Sequence, residues 1–164
     1  MIARAAAAWF ALVALECAGA ESGTFTVKVI TPEAALKAAK AAMDKCRAEG
    51  FQVAVAVVDR SGVTVAFVRD RYVSPASVDG AQRKAQTAIN FKMDTAALDR
   101  ELQPGRPTAG IRSQPGVAAI AGGAIIESGG ALVGAIGVSG APGPANDDLC
   151  AHAGIKAITE DLEF

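Results

Sequence analysis

The sequence contains few aromatic residues: six Phe, one Tyr and one Trp among 164 residues. Its core must therefore be built mainly from Ala, Val, Ile and Gly. The chain also lacks an excess of positive charge, because 16 Lys and Arg stand against 17 Asp and Glu. Without a basic cluster there is no electrostatic surface for nucleic acid or for an anionic membrane, so both classes of partner are excluded.

Sequence motifs for metal and haem attachment are missing as well. The three cysteines form no Cys-x-x-Cys, which excludes a zinc ribbon and c-type haem attachment. Cys46 and Cys150 each fall on the apolar side of a predicted helix, and we interpret them as two buried free thiols. A disulfide between them is the alternative, since the sequence does not show whether their Cα atoms lie within reach.

No hydrophobic run is long enough to cross a membrane, and a short one lies near the start of the chain. Arg4 precedes an apolar run over 5–15, and Ala18-Gly19-Ala20 follows as a cleavage site. The run is shorter than the roughly 20 residues that a membrane span needs. We therefore expect a signal peptide over 1–20, a single domain over 21–164, and a periplasmic or secreted protein.

The periodicity of the apolar residues predicts five strands and four helices. Strands are expected over 25–30, 53–58, 63–68, 124–128 and 131–138, and helices over 32–49, 78–92, 95–102 and 146–161. The loop over 103–116 has no periodicity, and its length is one at which loops tend to be functional. This order of elements predicts an α+β domain with one antiparallel sheet.

Two short connectors predict hairpins. Arg60-Ser61-Gly62 suits a three-residue loop, whose register pairs Val57 with Val65. Gly129-Gly130 predicts a two-residue hairpin between the last two strands.

The last predicted strand has glycine at positions where most strands have larger side chains. Side chains alternate across a strand, so Ala135, Gly137 and Ser139 share a face that is nearly bare. Glycine weakens a strand by roughly 0.5–1 kcal/mol, so we expect that a helix, a second subunit or a flat ligand fills the missing volume. The spacing of Gly134, Gly137 and Gly140 matches neither a dinucleotide fingerprint nor a phosphate loop.

Four segments spread along the chain carry a family resemblance. They are Val53 to Asp59 with Gly62 and Ala66 to Arg69; Ala81 to Ala88; Gly122 and Gly123; and Val133 to Ala141 with Asp147, Cys150, Ala153, Gly154 and Ile155. Together they resemble the GlcG/HbpS-type haem-binding family, which includes the C-terminal domain of PduO-like proteins. Several segments in a fixed order are more specific than any single motif.

The resemblance implies a profilin- or PAS-like sandwich, in which helices flank a five-stranded antiparallel sheet. It also implies homo-oligomers, from dimers to octamers. Some similar proteins are exported and bind haem, and others accompany glycolate or diol metabolism. One departure is visible, because members often carry a Gly-Pro-His-Thr-like segment where this chain has Ser74-Pro75-Ala76-Ser77. No imidazole stands at position 76.

Few side chains are available as axial ligands of haem, which takes His, Met, Cys or Tyr. His152 lies one helical turn from Asp148 and Lys156, which is typical of a solvated helix face. Met93 is a second candidate, at the end of a predicted helix. Tyr72 is a third, because the arginines beside it can neutralise a phenolate or haem propionates. A surface tyrosine at the end of a hairpin is the alternative.

A ligand site is expected between the small-faced sheet and the 103–116 loop. The candidate ligand-binding residues are Arg69, Asp70, Tyr72, Ser77, Arg83, Lys84, Thr87, Gly122, Gly123, Gly137, Ser139 and Gly140. For Arg83 and Lys84 the alternative is a solvated helix face, and for Gly137 it is close packing. The sequence shows no nucleophile with a base beside it, so no catalytic residue is assigned.

These inferences lead to one hypothesis and two alternatives. The first is an exported, homo-oligomeric protein that binds haem or another small ligand. The second is an enzyme or accessory factor that acts on a small hydroxy or oxo acid held by Arg69 and its neighbours. The third is a purely structural or scavenging oligomer.

Overall fold

The computed structural model describes residues 23–163, and the expected signal peptide over 1–20 lies outside them. The elements in chain order are α1 (Pro32–Ala48), β1 (Ala54–Asp59), β2 (Thr64–Arg69), α2 (Pro75–Phe91), α3 (Thr95–Glu101), a 3-10 helix (Ala109–Ser113), β3 (Gly123–Ser128), β4 (Ala131–Ser139), α4 (Pro144–Lys156) and α5 (Thr159–Leu162). Strands and helices thus follow the α+β order that the sequence predicts.

The four strands form one antiparallel sheet in the order β2-β1-β4-β3. The prediction of a fifth strand over 25–30 is wrong, although Ile30 N does donate to Val133 O at 3.2 Å. β1 pairs with β4 only from Gly134 to Ser139, so Val133 lies beyond the end of β1. Among the described residues, the bond to Val133 is the one backbone hydrogen bond between the 25–30 segment and the sheet.

The first hairpin has the predicted loop but only part of the predicted register. Val58 pairs with Thr64 as expected, and beyond that pair the register shifts by one, so that Val57 faces Ala66 rather than Val65. A β-bulge of this kind places two residues of one strand opposite one of the other. It cannot be read from the length of the loop.

Helices cover both faces of the sheet. On one face, α1 and α4 pack side by side over the larger core, which contains Val55, Val57, Ile136 and Val138. On the other face, α2 crosses β4, β1 and β3, and its alanines pack against a smaller core of Ala54, Ala56, Val58 and Ala135. This second layer is the one that shapes the candidate site.

The bare face of β4 is filled by α2. A Cβ added to Gly137 would meet the carbonyl of Ala81 and would lie 2.6 Å from the backbone N of Ala85. Of the three occupants that the sequence leaves open, a helix of the same chain is the one present. Gly137 is therefore a packing residue and does not face a ligand.

The expectation of two free thiols is wrong, because Cys46 and Cys150 form a disulfide with their Cα atoms 5.6 Å apart. Gly154 explains the close approach of the two helices that carry them. A Cβ at Gly154 would lie 2.6 Å from the carbonyl of Ala38 in α1. The absence of that Cβ lets α4 sit against α1, which brings the two sulfurs within bonding distance.

Candidate functional site

An open cleft of about 390 Å³ lies at the end of β4, between the first turns of α2 and α4. We call it the lysine cleft. Its lining residues are Ser77, Gly80, Lys84, Ala118, Ile120, Ser139, Gly140, Ala141, Gly143, Pro144 and Asp147. The 103–116 loop does not line this cleft, but Ala118 and Ile120, which follow that loop, do.

The charged pair of the lysine cleft is Lys84 and Asp147. Lys84 Nζ donates to Asp147 Oδ2 at 2.7 Å and to Val138 O at 3.0 Å, and the two side chains are only 5% and 6% exposed. Asp147 Oδ1 accepts the backbone N–H of Ala141 at 2.9 Å. Burial of two charges is costly unless they are paired and hydrogen-bonded, and here both conditions are met.

Two glycines make room for this pair. A Cβ at Gly122 would lie 2.7 Å from Asp147 Cβ and 2.9 Å from Lys84 Nζ. A Cβ at Gly123 would lie 2.5 Å from the carbonyl of Lys84 and would also meet Thr95. The predicted residues Lys84, Gly122 and Gly123 are thus brought together, as neighbours of the cleft and its ion pair.

Sequence reasoning missed the role of Asp147, which is not among the predicted site residues. The signal that could have found the pair is its place among the family-like segments, where Asp147 and Lys84 both occur. The two residues are 63 positions apart, so no local pattern in the sequence indicates that they are in contact.

A second cleft, of about 450 Å³, is lined by Arg47, Gly50, Phe51, Gln52, Asp70 and Arg71. We call it the arginine cleft. Arg47 Nε donates to Asp70 Oδ1 at 2.8 Å, and these bonds raise the pKa of the guanidinium. The buried carboxylate of Asp70 also accepts Val53 N at 3.3 Å. Arg71 has no carboxylate partner among the described residues, so the cleft carries an unbalanced positive charge.

The other predicted site residues are spread between these two clefts. Arg69 Nη1 donates to the carbonyl of Asp70 at 3.4 Å, beside the arginine cleft. Arg83 forms an exposed ion pair with Asp79 at 2.7 Å and lines neither cleft. Thr87 Oγ1 accepts the N–H of Ala118 at 2.9 Å. This last bond fixes the loop that forms one wall of the lysine cleft.

His152 lies between Asp94 and Asp148, and each of its ring nitrogens contacts one of them. Its Nε2 lies 3.3 Å from Asp94 Oδ2, and its Nδ1 lies 3.0 Å from the carbonyl of Asp148. Partial burial lowers the pKa of His152, but the carbonyl and carboxylate of Asp148 and the carboxylate of Asp94 outweigh it and raise that pKa. Asp94 and Asp148 engage both ring nitrogens, which leaves neither of them open to iron.

Within residues 23–163, the sulfur atoms that could bind iron are engaged in other contacts. Cys46 and Cys150 are joined to each other, and Met43 lies in the larger core. Met93 packs with Leu98 in a small apolar cluster beneath α3. The described residues also contain no group of three or more His, Cys, Asp or Glu placed to hold a metal ion.

Tyr72 fits the requirements of a haem ligand best among the described residues. Its side chain is 80% exposed, and no hydrogen bond to its phenol oxygen is seen. It follows Arg71 of the arginine cleft and precedes Ser77 of the lysine cleft in the loop between β2 and α2. A phenolate is a known axial ligand, and the arginines on this side can pair with propionates. The donor set therefore fits haem at the surface, beside Tyr72.

The family that this architecture belongs to is decided by sequence comparison. Residues 30–156 match the model of the HbpS-like family, described as haem degrading protein HbpS-like. The chain belongs to this family. The match spans every strand and the helices α1 to α4.

Solved structures agree with membership of the HbpS-like family. A double mutant of HbpS from Streptomyces reticuli is 36% identical, with 94% of this chain and 99% of that chain covered and a TM-score of 0.78. ORFY of Klebsiella pneumoniae is 28% identical over 84% and 96%, with a TM-score of 0.80. PduOC in complex with haem is 28% identical over 80% and 96%, with a TM-score of 0.76.

The GlcG/HbpS-type resemblance seen in the sequence is thus confirmed, and haem is a ligand within this group of structures. In residues 23–163, no helix combines the length and the apolar character that a membrane crossing requires. Neither finding identifies which surface of this HbpS-like chain binds a ligand. The candidate surfaces are the two clefts and the surroundings of Tyr72.

Proposed function

We propose that this protein is an exported, homo-oligomeric member of the HbpS-like family that binds haem or another small anionic ligand. The observation that carries the proposal is the position of Tyr72, an exposed phenol that follows Arg71 of the arginine cleft and precedes Ser77 of the lysine cleft along the chain. A profilin- or PAS-like description of the fold belongs to the same proposal, supported by the helices on both faces of the sheet.

Haem would be held by three kinds of contact. Tyr72 supplies the oxygen ligand, Arg71 and Arg69 pair with propionates, and Ile120 offers an exposed apolar surface on the wall of the lysine cleft. Bound haem would supply an iron centre for redox chemistry. The protein's own contribution is to orient the macrocycle and to hold its charged edge.

A small hydroxy or oxo acid is the second candidate, favoured by Lys84. A lysine ammonium has three N–H donors, and two of them are used by Val138 O and Asp147 Oδ2. The remaining donor can bind a carboxylate that enters the cleft. The first turn of α4 opens the same cleft at Gly143 and Pro144, and its N-terminal dipole favours an anion.

Export is supported by the disulfide. Bonds of this kind form and persist in oxidising compartments and are rare in the cytosol of most organisms. The Cys46–Cys150 bond lies in the core and joins α1 to α4. A signal peptide over 1–20 that is removed after Ala20 would deliver the chain to such a compartment.

Two titrations of the processed protein, which starts at Glu21, test the proposal. Haemin should give a saturable Soret shift with a stoichiometry of one per chain or one per pair of chains. Small hydroxy and oxo acids should raise the melting temperature if the lysine cleft binds them, because a ligand of the native state alone stabilises it. Absence of both responses would leave only the structural or scavenging oligomer.

A further inference from the structure

The two outer edges of the sheet differ in how their backbone groups are hydrogen-bonded. On the outer edge of β3, the N–H of Ile125 donates to Asp94 Oδ1 at 2.9 Å. Thr95 Oγ1 accepts the N–H of Gly123 at 2.8 Å and donates to the carbonyl of the same residue at 3.2 Å. Side chains at the start of α3 thus occupy the groups with which another strand would pair.

The outer edge of β2 has no such cover. In the described part of the chain, the backbone of β2 is hydrogen-bonded to β1 on one side and to nothing on the other. The strand reads Thr-Val-Ala-Phe-Val-Arg, with one charge at its end and no proline. Natural proteins normally protect exposed edges of this composition, because such edges pair readily with other strands.

The chain also carries a strand-like segment that forms no strand of its own sheet. Residues 25–30, which we call the N-terminal arm, alternate in polarity, and the side chains of Phe25, Val27 and Val29 are exposed, whereas that of Ile30 is buried. Phe25 is 89% exposed, Val27 41% and Val29 47%. Alternation of this kind is typical of a half-buried strand, yet here the apolar side is uncovered.

The arm is not placed to reach β2 of its own chain. Its end is fixed where Ile30 N donates to Val133 O on β4. Lys28 reaches the β3–β4 turn, since a Cβ at Gly129 would lie 3.6 Å from Lys28 Nζ. The arm therefore runs towards this turn, whereas the free edge of β2 lies on the far side of β1 from β4. An unpaired arm and an unpaired edge therefore coexist in one chain and need another copy to meet.

We propose that the N-terminal arm of one copy pairs with the β2 edge of a second copy and completes a five-stranded sheet. Exchange in both directions gives a dimer with two-fold symmetry, in which the same surface of each copy is used. Main-chain hydrogen bonds supply the affinity, and burial of Phe25 and Val27 adds to it. The inference names the interface for the homo-oligomer of the proposed function, and so it rests on that part of the proposal.

Backbone-specific variants of the processed protein test the inference by analytical ultracentrifugation. Val27→Pro removes an N–H from the centre of the arm, and proline keeps the extended conformation. Gly23→Pro is the matched control, since it lies outside the arm. On the receiving edge, Thr64→Lys places a charge at an exposed strand position, with Ser61→Lys in the adjacent turn as its control.

We expect the dissociation constant of the dimer to rise at least tenfold in Val27→Pro and in Thr64→Lys, and to stay within twofold in both controls. A wild-type oligomer that both variants leave unchanged would overturn this interface while the proposed oligomer stands. Weak complexes form at concentrations of about 100 μM. A wild-type protein that is monomeric at that concentration would overturn both the interface and the proposed homo-oligomer. Haemin binding by the Val27→Pro monomer separates ligand binding from assembly.

Discussion

Lys84 and Asp147, 63 residues apart in the chain, form a buried ion pair in which Nζ lies 2.7 Å from Oδ2. The pair joins α2 to α4 across the end of β4. It also forms the charged floor of the lysine cleft. Stability and the proposed ligand binding therefore involve the same two side chains, and variants can separate the two effects.

Lys84→Met should lower the free energy of unfolding by about 3–5 kcal/mol, because it leaves the Asp147 carboxylate buried without a counter-ion. The double variant Lys84→Met/Asp147→Leu should recover most of that loss, since well-packed apolar groups often replace a buried pair at little cost. Urea denaturation of both variants measures the difference. A double variant as unstable as the single one would show that the loss is not electrostatic.

Arg83→Met is the matched control for this experiment. Arg83 precedes Lys84 in the same helix, but its ion pair with Asp79 is half exposed. Exposed pairs contribute about 0–1 kcal/mol. The control should therefore change the free energy of unfolding by less than about 1 kcal/mol, and a larger loss would indicate that substitution within α2 is itself disruptive.

Gly137→Ala should destabilise the fold by more than about 2 kcal/mol, because the new methyl group would meet the backbone of α2 at Ala81 and Ala85. Gly110→Ala is the comparison, since a Cβ there has nothing within 4 Å and its φ is ordinary. We expect that change to stay within about 0.5 kcal/mol. Equal melting temperatures for the two variants would contradict the close packing of α2 on β4.

Removal of the disulfide should also be costly. Cys46 and Cys150 are 104 residues apart in sequence, so their bond closes most of the domain into one loop. Loss of a native disulfide from a small secreted domain typically costs about 2–5 kcal/mol. We expect the Cys46→Ala/Cys150→Ala variant to melt about 10 °C or more below the wild type. Unchanged melting under reducing conditions, with both thiols shown to be free, would refute this.

His152 should make stability depend on pH. The pKa of His152 is raised in the folded protein by Asp148 and Asp94, despite the opposing effect of partial burial. Its contribution to stability is therefore fully present below the unfolded pKa of about 6.5, and it is lost as pH rises through the folded value. The difference in free energy of unfolding between wild type and His152→Gln should shrink from pH 6 to pH 8. A difference that grows over this range would contradict the direction of the shift.

The order of elements could be predicted from the sequence, because it depends on local periodicity and on turn chemistry. The last hairpin is an example, since Gly129 and Gly130 connect β3 to β4 as the sequence predicts. The sequence also predicts that one face of β4 carries only small side chains. It does not predict what packs against that face, because a helix, a subunit and a ligand would all be compatible with the small residues around Gly137.

The candidate site depends on contacts that local patterns do not encode. The pairing of Lys84 with Asp147, and of Cys46 with Cys150, joins helices far apart in the chain. The missing fifth strand has a different cause. The pattern over 25–30 is strand-like, but pairing depends on partners as well as on the segment itself, and among the described residues only Ile30 of this segment forms a backbone hydrogen bond to β4.

The most direct test of the account is the affinity of the processed protein for haemin, compared between wild type and Tyr72→Phe, with His152→Gln and Met93→Leu as controls. Each variant is followed by its Soret band in an equilibrium titration. We expect Tyr72→Phe to weaken binding at least tenfold and both controls to stay within twofold of wild type. Wild-type affinity in Tyr72→Phe, or its loss in His152→Gln alone, would contradict a haem site at Tyr72.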